Sequence, residues 1–272
     1  MQANLWRIIN SPPAIGAWNM AVDEAILLEI GAGRSLSTLR LYSWEPACLS
    51  IGYAQSIKDV DLGALHENGW TLVRRPTGGR AILHTDELTY SVIAPLNEPR
   101  VSGSVLESYR QLSIALLKTL DMLGLKAQAD PHAESPQNSL GPVCFEVPSN
   151  YEITVGGKKL IGSAQARKKE GILQHGSLPL FGDIARIMQV LHYNNALERT
   201  EAATRLLEHA TNVETVLNKK ISIELAAETF QTAFSETLEL TLIPGDLSPV
   251  EYRLAEELVQ KKYANNSWTD RM

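Results

Sequence analysis

The chain has 272 residues, 44% apolar and 21% charged, enough to bury a substantial core in one large domain or two small ones. A formal charge of −6 argues against a general nucleic-acid binder, which presents a basic face. Two cysteines, Cys48 and Cys144, give no disulfide framework, no CxxC or HExxH spacing suggests a metal site, and no run approaches the ~20 apolar residues of a membrane span.

Residues 1–10, MQANLWRIIN, lack the basic start and long apolar run of a signal peptide, so a soluble cytoplasmic protein is expected. LWRIIN (5–10) reads as a strand and GAWNMAVDEAILLEI (16–30) as a helix rich in good helix formers. Short strands follow at 37–44, 48–53, 70–75, 80–84 and 88–94. The last alternates, with Leu88, Tyr90 and Val92 on one face and Thr89, Ser91 and Ile93 on the other.

The clearest helix begins at the capping-box pair Ser104 and Glu107, repeats apolar residues at Val105, Leu112, Leu116, Leu120 and Leu123, and stops at Gly124. A polar, Pro-containing stretch (129–142) precedes three strands: NYEITV, KKLIGSAQA and ILQHGSLPLF. Gly156-Gly157 signals a hairpin between the first two. From 182 onward the pattern is mostly helical. Ser222 is an N-cap with Phe230 and Phe234 one turn apart, and a final helix has Ser248 as N-cap, Pro249 at N1, Glu251 at N3 and a Leu247/Tyr252 staple. The expectation is a single α+β domain spanning 1–272, with mixed or antiparallel sheets flanked by helices and a helical C-terminal third.

VRRPTGGRAILH (73–84) reads as strand, turn, strand. A Gly pair lets the backbone approach a ligand and present N–H groups to an anion or carbonyl; the same residues equally fit a tight turn with solvated arginines. The segment is neither a Walker loop nor GxGxxG, so a nucleotide does not follow from it. Cys144, bracketed by Pro142 and Pro148, is either a loop nucleophile or a small buried hydrophobe, whereas Cys48 in ACLSIGY fits a core strand. Lys159 opens a strand whose small Gly-Ser-Ala run lets a substrate lie against the backbone. An ammonium near a thiol favours the thiolate; the alternative is a surface lysine beside a hairpin. ARKKEG (166–171) is a solvated turn or a meeting point for an acidic partner, and His84 and His175 are either satisfied core histidines or chemical groups.

Taken together, NMAVDEAIL (19–27), LRLYSWEPACLSIGYAQ (39–55), RRPTGGRAILHTDELTYSV (74–92), KKLIGSAQARKKEGILQHGSLPL (158–180) and KKYANNSW (261–268) resemble the biotin/lipoate protein ligase superfamily. The arginine–glycine turn together with Lys-x-x-Gly-Ser-Ala points to its lipoate-attachment branch. Lipoate ligases of that branch typically carry three glycines at the turn, where this chain has Gly78-Gly79-Arg80. In one group of octanoyltransferases the cysteine follows the strand-borne lysine. A cysteine ahead of the lysine, as in PVCFEVPS before Lys159, looks like the LipM-type octanoyltransferases.

The resemblance implies a ligase-like catalytic core over 33–247, with 248–272 forming a C-terminal helix packed on it. It implies ping-pong transfer without a cofactor or metal, in which Cys144 takes octanoyl from octanoyl-acyl carrier protein. A lysine of an apo lipoyl domain or of glycine cleavage H protein then accepts the acyl group. Lys159 would lower the Cys144 pKa, and Arg75, Thr77, Gly78, Gly79 and Arg80 would form the pocket entrance and carbonyl site. His84, Gly162, Ser163, Ala164 and His175 would complete the substrate-binding set. Neither nucleic acid nor membrane is an expected partner. Arg74, Arg80, Arg167, Lys168 and Lys169 are candidates for a basic surface that meets acidic partners. The alternatives are an ATP-dependent lipoate ligase, an amidotransferase moving octanoyl between lipoyl domains, and a binding subunit that has lost its chemistry.

Overall fold

The computed structural model describes residues 4–130 and 152–271. The first part supplies β1 (Leu5–Asn10), α1 (Gly16–Gly31), β2 (Thr38–Tyr42), β3 (Cys48–Ile51), α2 (Leu62–Glu67), β4 (Thr71–Arg74), β5 (Ile82–His84), β6 (Glu87–Ala94), α3 (Val105–Met122) and β7 (Ala127–Asp130). The second adds β8 (Glu152–Val155), β9 (Lys158–Lys168), β10 (Gly171–Pro179), α4 (Ala196–His209), α5 (Val213–Leu217), α6 (Ile223–Thr237), β11 (Thr241–Pro244), α7 (Pro249–Leu258) and α8 (Asn266–Thr269).

Among the described residues the strands form an eight-stranded sheet, in the order β11-β1-β2-β6-β10-β9-β8-β7, and a three-stranded sheet, β4-β3-β5. β1 runs parallel to β11 and β2, β3 runs parallel to β4, and the other pairings are antiparallel. The fold is α+β with mixed sheets flanked by helices. Gly156 and Gly157, at φ 57° and 78°, make the turn between β8 and β9, a backbone that residues with a Cβ rarely adopt. Both capping boxes form, Ser104 with Glu107 and Ser248 with Glu251.

β6 lies at the centre of the large sheet and is buried on both faces. Leu88, Tyr90, Val92 and Ala94 pack under α3 and α6, where Tyr90 meets the stacked pair Phe230 and Phe234. Ile93 faces the other way, with Leu173 and the apolar side of α1. α1 is therefore covered by the sheet on one side and α7 on the other, so a helix buried along most of its length is stable there. A third cluster joins the small sheet to α4 and the 3-10 stretch Ile184–Val190. β11 lies in the region whose sequence reads as helical. Its four residues carry little period of their own, and they become a strand by pairing with β1 from the far end of the chain.

The charged residues of α1 hold these layers in register. Asp23 is fully buried and accepts hydrogen bonds from Arg40 Nη1 (2.8 Å), Tyr42 Oη (3.0 Å) and Ser91 Oγ (3.0 Å). Burial pushes its carboxyl up, but the Arg40 guanidinium and His175 together outweigh this and hold it below the ordinary value. Glu24 gathers Lys168 (2.7 Å), Lys262 (2.6 Å) and Tyr263 Oη (2.6 Å), tying α1 to the β9–β10 hairpin and to the π-helical turn Val259–Tyr263.

Two outcomes are expected. Arg40→Ala leaves Asp23 buried without its guanidinium and should lower the unfolding free energy by about 3–5 kcal/mol. The shift in chemical-denaturation midpoint reads this, and a loss under about 1 kcal/mol would mean the pair behaves like an exposed one. Glu24 is likewise held below its ordinary pKa, because its three hydrogen-bond donors outweigh desolvation. Its contribution is therefore present above the unfolded carboxyl value of about 4.3 and lost as pH falls through the lower folded value. Glu24→Gln should be less stable at pH 7 and lose less stability than the parent between about pH 5 and pH 3. Parallel pH-stability curves would contradict this.

Candidate active site

Where the two sheets meet, a cavity of about 220 Å³ opens between β3 and β5 on one side and β9 and β10 on the other. Met20, Tyr42, Trp44 and Ile82 give it an apolar wall. Gly78 and Gly79 stand on one side, and Gly162, Ser163 and Ala164 on the other, where β9 pairs with Ser177, Gly176 and His175 of β10. Gly176 has no room for a side chain: a Cβ would lie 2.6 Å from Ser163 Oγ and from a Tyr90 ring carbon.

The turn between β4 and β5 is held from within. Arg75 donates to Gly78 O from Nε and Nη2 (3.2 and 2.9 Å), to Arg80 O from Nη2 (2.6 Å), and to Ser50 O and Oγ from Nη1 (3.0 and 3.1 Å). The guanidinium thus braces the turn against β3. The turn also lies hard against the strand exit at Gly52, where a Cβ would sit 1.9 Å from Gly79 O. Gly79 itself has φ +90°.

Two buried histidines face the cavity from different sheets. His84 Nδ1 meets Glu87 Oε1 at 2.5 Å, and its Nε2 lies 2.7 Å from Ser50 Oγ, while the Trp44 ring stacks on the imidazole at 3.9 Å between centroids. Glu87 also accepts from Thr89 and Ser177. Burial pushes its carboxyl up, and His84 with these hydroxyls brings it below the ordinary value. An acceptor-only Glu87 takes a hydrogen bond from Nδ1–H of His84 and so fixes the ring's orientation. His175 Nε2 lies 2.6 Å from Thr77 Oγ1, and its Nδ1 is 3.7 Å from Asp23 Oδ2. Burial lowers the His175 pKa, Asp23 opposing, and so favours a neutral ring. One wall continues into a polar chain that crosses the sheet, Ser163 Oγ to Tyr90 Oη (2.7 Å), Gln174 to Tyr90 Oη (3.0 Å) and Gln165 to Gln174 (2.9 Å).

Of the residues named from the sequence, Arg75, Gly78, Gly79, His84, Gly162, Ser163, Ala164 and His175 line the cavity. Thr77 stands behind His175, and Arg80 lends its carbonyl to Arg75. Lys159 is not a surface lysine: it is 2% exposed, and its Nζ lies 2.6 Å from Glu152 Oε1. Cys144 lies outside the described residues. Cys48 is in the core, its thiol pushed up to about 12 by burial.

The basic-surface reading is corrected at Arg74. This residue is fully buried and donates to Gly52 O, Tyr53 O, Gln55 O and Thr269 O, because four converging carbonyls solvate a guanidinium as water would. Arg167 is tied to Val101 O, Gly103 O and Ser104 O, and Lys168 to Glu24. The sequence reading missed Asp23, Glu87 and Ser50. The only signal for the first was an acidic residue among the many apolar residues of its helix. Among the described residues no group of three His, Cys, Asp or Glu is placed to hold a metal ion.

Comparison with known proteins agrees with this fold. The octanoyltransferase LipM of Brevibacillus brevis is 41% identical over 269 residues, 97% of this chain and 98% of that protein. The LipM of Kyrpidia tusciae is 42% identical with 98% of each covered, and that of Bacillus subtilis 37% identical with 98% and 99% covered. Among solved structures, a lipoate-protein ligase A bound with ATP superposes with TM-score 0.81 at 27% identity, covering 98% of both chains. The bi-partite lipoate protein ligase of Thermoplasma acidophilum gives 0.80 at 26%, covering 97% and 96%. Residues 16–235 match the lipoyl protein ligase A/B catalytic domain, a span that includes every cavity-lining residue, and the chain belongs to that family.

Proposed function

We propose that this chain is an octanoyltransferase that carries the acyl group on Cys144. The donor is octanoyl-acyl carrier protein, and the acceptor is a lysine of an apo lipoyl domain or of glycine cleavage H protein. The observation that carries the reading is the cavity between the sheets: one wall is apolar, the other combines glycines with Arg75, His84 and His175, in a chain similar along its length to octanoyltransferases. The apolar wall suits an alkyl chain, each buried methylene contributing about 0.8 kcal/mol.

In the first half-reaction the Cys144 thiolate attacks the donor's thioester carbon. The tetrahedral oxyanion collapses with cleavage of the donor C–S bond, and the pantetheine thiol departs after taking a proton. In the second, a neutral lysine amine attacks the acyl-Cys carbon, the C–S bond breaks, the amine loses its proton and the Cys144 thiolate returns. The first exchange is nearly balanced because one thioester replaces another. Amide formation is downhill, so no nucleotide is consumed. Lys159 stabilises the thiolate and the developing oxyanion.

A second reading is ATP-dependent lipoate ligation, favoured by the likeness to the ATP-bound ligase structure. Incubation with octanoyl-acyl carrier protein alone, followed by intact mass measurement, separates the two. The transferase should show a single hydroxylamine-labile octanoyl adduct, which peptide mapping assigns to Cys144. Cys48 should stay unmodified, since a thiol with a pKa of about 12 holds almost no thiolate at neutral pH. Cys144→Ser should lose the adduct and reduce transfer by several orders of magnitude. An unmodified parent that forms an acyl adenylate with ATP and lipoate would make it a ligase.

Lys159→Met removes the ammonium and leaves Glu152 without that ion-pair partner. The pH midpoint for alkylation of Cys144 should then rise by about one unit or more, with the thermal midpoint followed in parallel. An unchanged midpoint would remove Lys159 from thiol activation.

A further inference from the structure

The segment from Lys262 to Arg271 sits outside the cavity, yet it grips the elements that shape its mouth. Trp268 Nε1 donates to Arg74 O at 2.8 Å, and Arg74 returns two bonds to Thr269 O, at 3.0 Å from Nε and 2.6 Å from Nη2. The remaining Arg74 nitrogen, Nη1, reaches the opposite way to Gly52 O, Tyr53 O and Gln55 O. Arg271 closes the arrangement. Its guanidinium lies between the rings of Tyr53 (3.7 Å) and Trp268 (3.9 Å), and its Nη2 donates to Tyr53 O at 2.7 Å.

Both ends of this grip lead to the turn. Tyr53 N donates to Thr77 O at 2.8 Å, Gly52 abuts Gly79 O, and Arg74 precedes Arg75, whose guanidinium holds Gly78 O and Arg80 O. Thr77 in turn bonds His175 in the opposite wall. The segment is also fixed to α1, since Lys262 and Tyr263 bond Glu24, the neighbour of Asp23. The π-helical turn Val259–Tyr263 presents both side chains to that one carboxylate.

We propose that Trp268, Thr269 and Arg271 form a clasp that positions the Thr77–Arg80 turn, making the end of this chain part of the apparatus for octanoyl transfer. The segment holds no reacting atom; it fixes the separation between the glycine side and the β9 side of the cavity. Its relevance to acyl transfer rests on the function proposed above, but its mechanical coupling to the turn does not. Cation–π stacking on an indole and a phenol, with a carbonyl acceptor beside them, is a task for a planar guanidinium. Lysine keeps the charge and loses the fork.

The test uses the full chain with Arg271→Met and Arg271→Lys, read by amide hydrogen exchange, thermal midpoint and steady-state octanoyl transfer. In Arg271→Met, exchange at the Thr77–Arg80 amides should accelerate by about tenfold or more, while the strands of the large sheet keep their protection. The kcat for transfer should fall by about tenfold with the thermal midpoint nearly unchanged. Arg271→Lys should recover part of both effects. Unchanged exchange at the turn would overturn the clasp, and faster exchange spread evenly over the chain would reduce the segment to a general stabiliser. A parent that exchanges as expected but shows no octanoyl transfer would overturn the functional reading and leave the clasp standing.

Discussion

A carboxylate buried at the centre of the molecule sets the constraint on which the rest depends. Asp23 has no access to water, so its charge has to be met by the protein, and Arg40, Tyr42 and Ser91 meet it from β2 and β6. Arg40 itself is enclosed and is shared with Asn19, through its side-chain oxygen at 2.8 Å and its backbone carbonyl at 3.2 Å. A rotation or slide of α1 would strand one of these charges, at several kcal/mol for an unpaired buried ion. Apolar packing alone permits many placements of a smooth helix on a sheet; this polar set admits one. His175, 3.7 Å from Asp23, inherits its place from the same lock.

The cavity then follows from where side chains are missing. Gly52, Gly78, Gly79, Gly162 and Gly176 lie around it. At Gly52 and Gly176 the close approach of another backbone or ring forbids even a methyl group. Arg75 donates to two carbonyls of the turn and to Ser50 of β3, which braces the turn against the strand. Charge near the mouth serves architecture: two arginines adjacent in sequence, Arg74 and Arg75, donate to backbone carbonyls.

Much of this was legible in the sequence, for local reasons. The capping boxes at Ser104 and Ser248, the paired glycines at 156–157 and the alternation of β6 are signals contained within a few residues, and each takes its expected form. β11 was not legible, since a four-residue strand gains its identity from β1 at the other end of the chain. Arg74 read as a surface cation because an arginine is usually solvated, and nothing nearby announces that Thr269 will bring a carbonyl to it. Glu251 was recognised as a cap, while its bidentate bond to Arg7 of β1 was hidden by the same distance in sequence. Cavity residues were found through glycine and histidine types; their partners Ser50, Glu87 and Asp23 look ordinary until the sheets are assembled.

The ion pair at the start of β9 bears on how a lysine there can activate a thiol. Lys159 and Glu152 together carry no net charge, so at a distance their field is that of a dipole and falls off faster than that of a lone ammonium. A long-range lowering of the Cys144 pKa by Lys159 would therefore be weak. A directed contact would not be, because an N–H from a charged donor gains most at hydrogen-bonding range. An ammonium has three such donors, and Glu152 orients the group by taking one of them. The fixed carboxylate thus trades reach for aim. The activation proposed for Cys144 accordingly demands close approach of its sulfur to the Lys159 nitrogen during acyl transfer, a local requirement that the charge of the chain as a whole cannot meet.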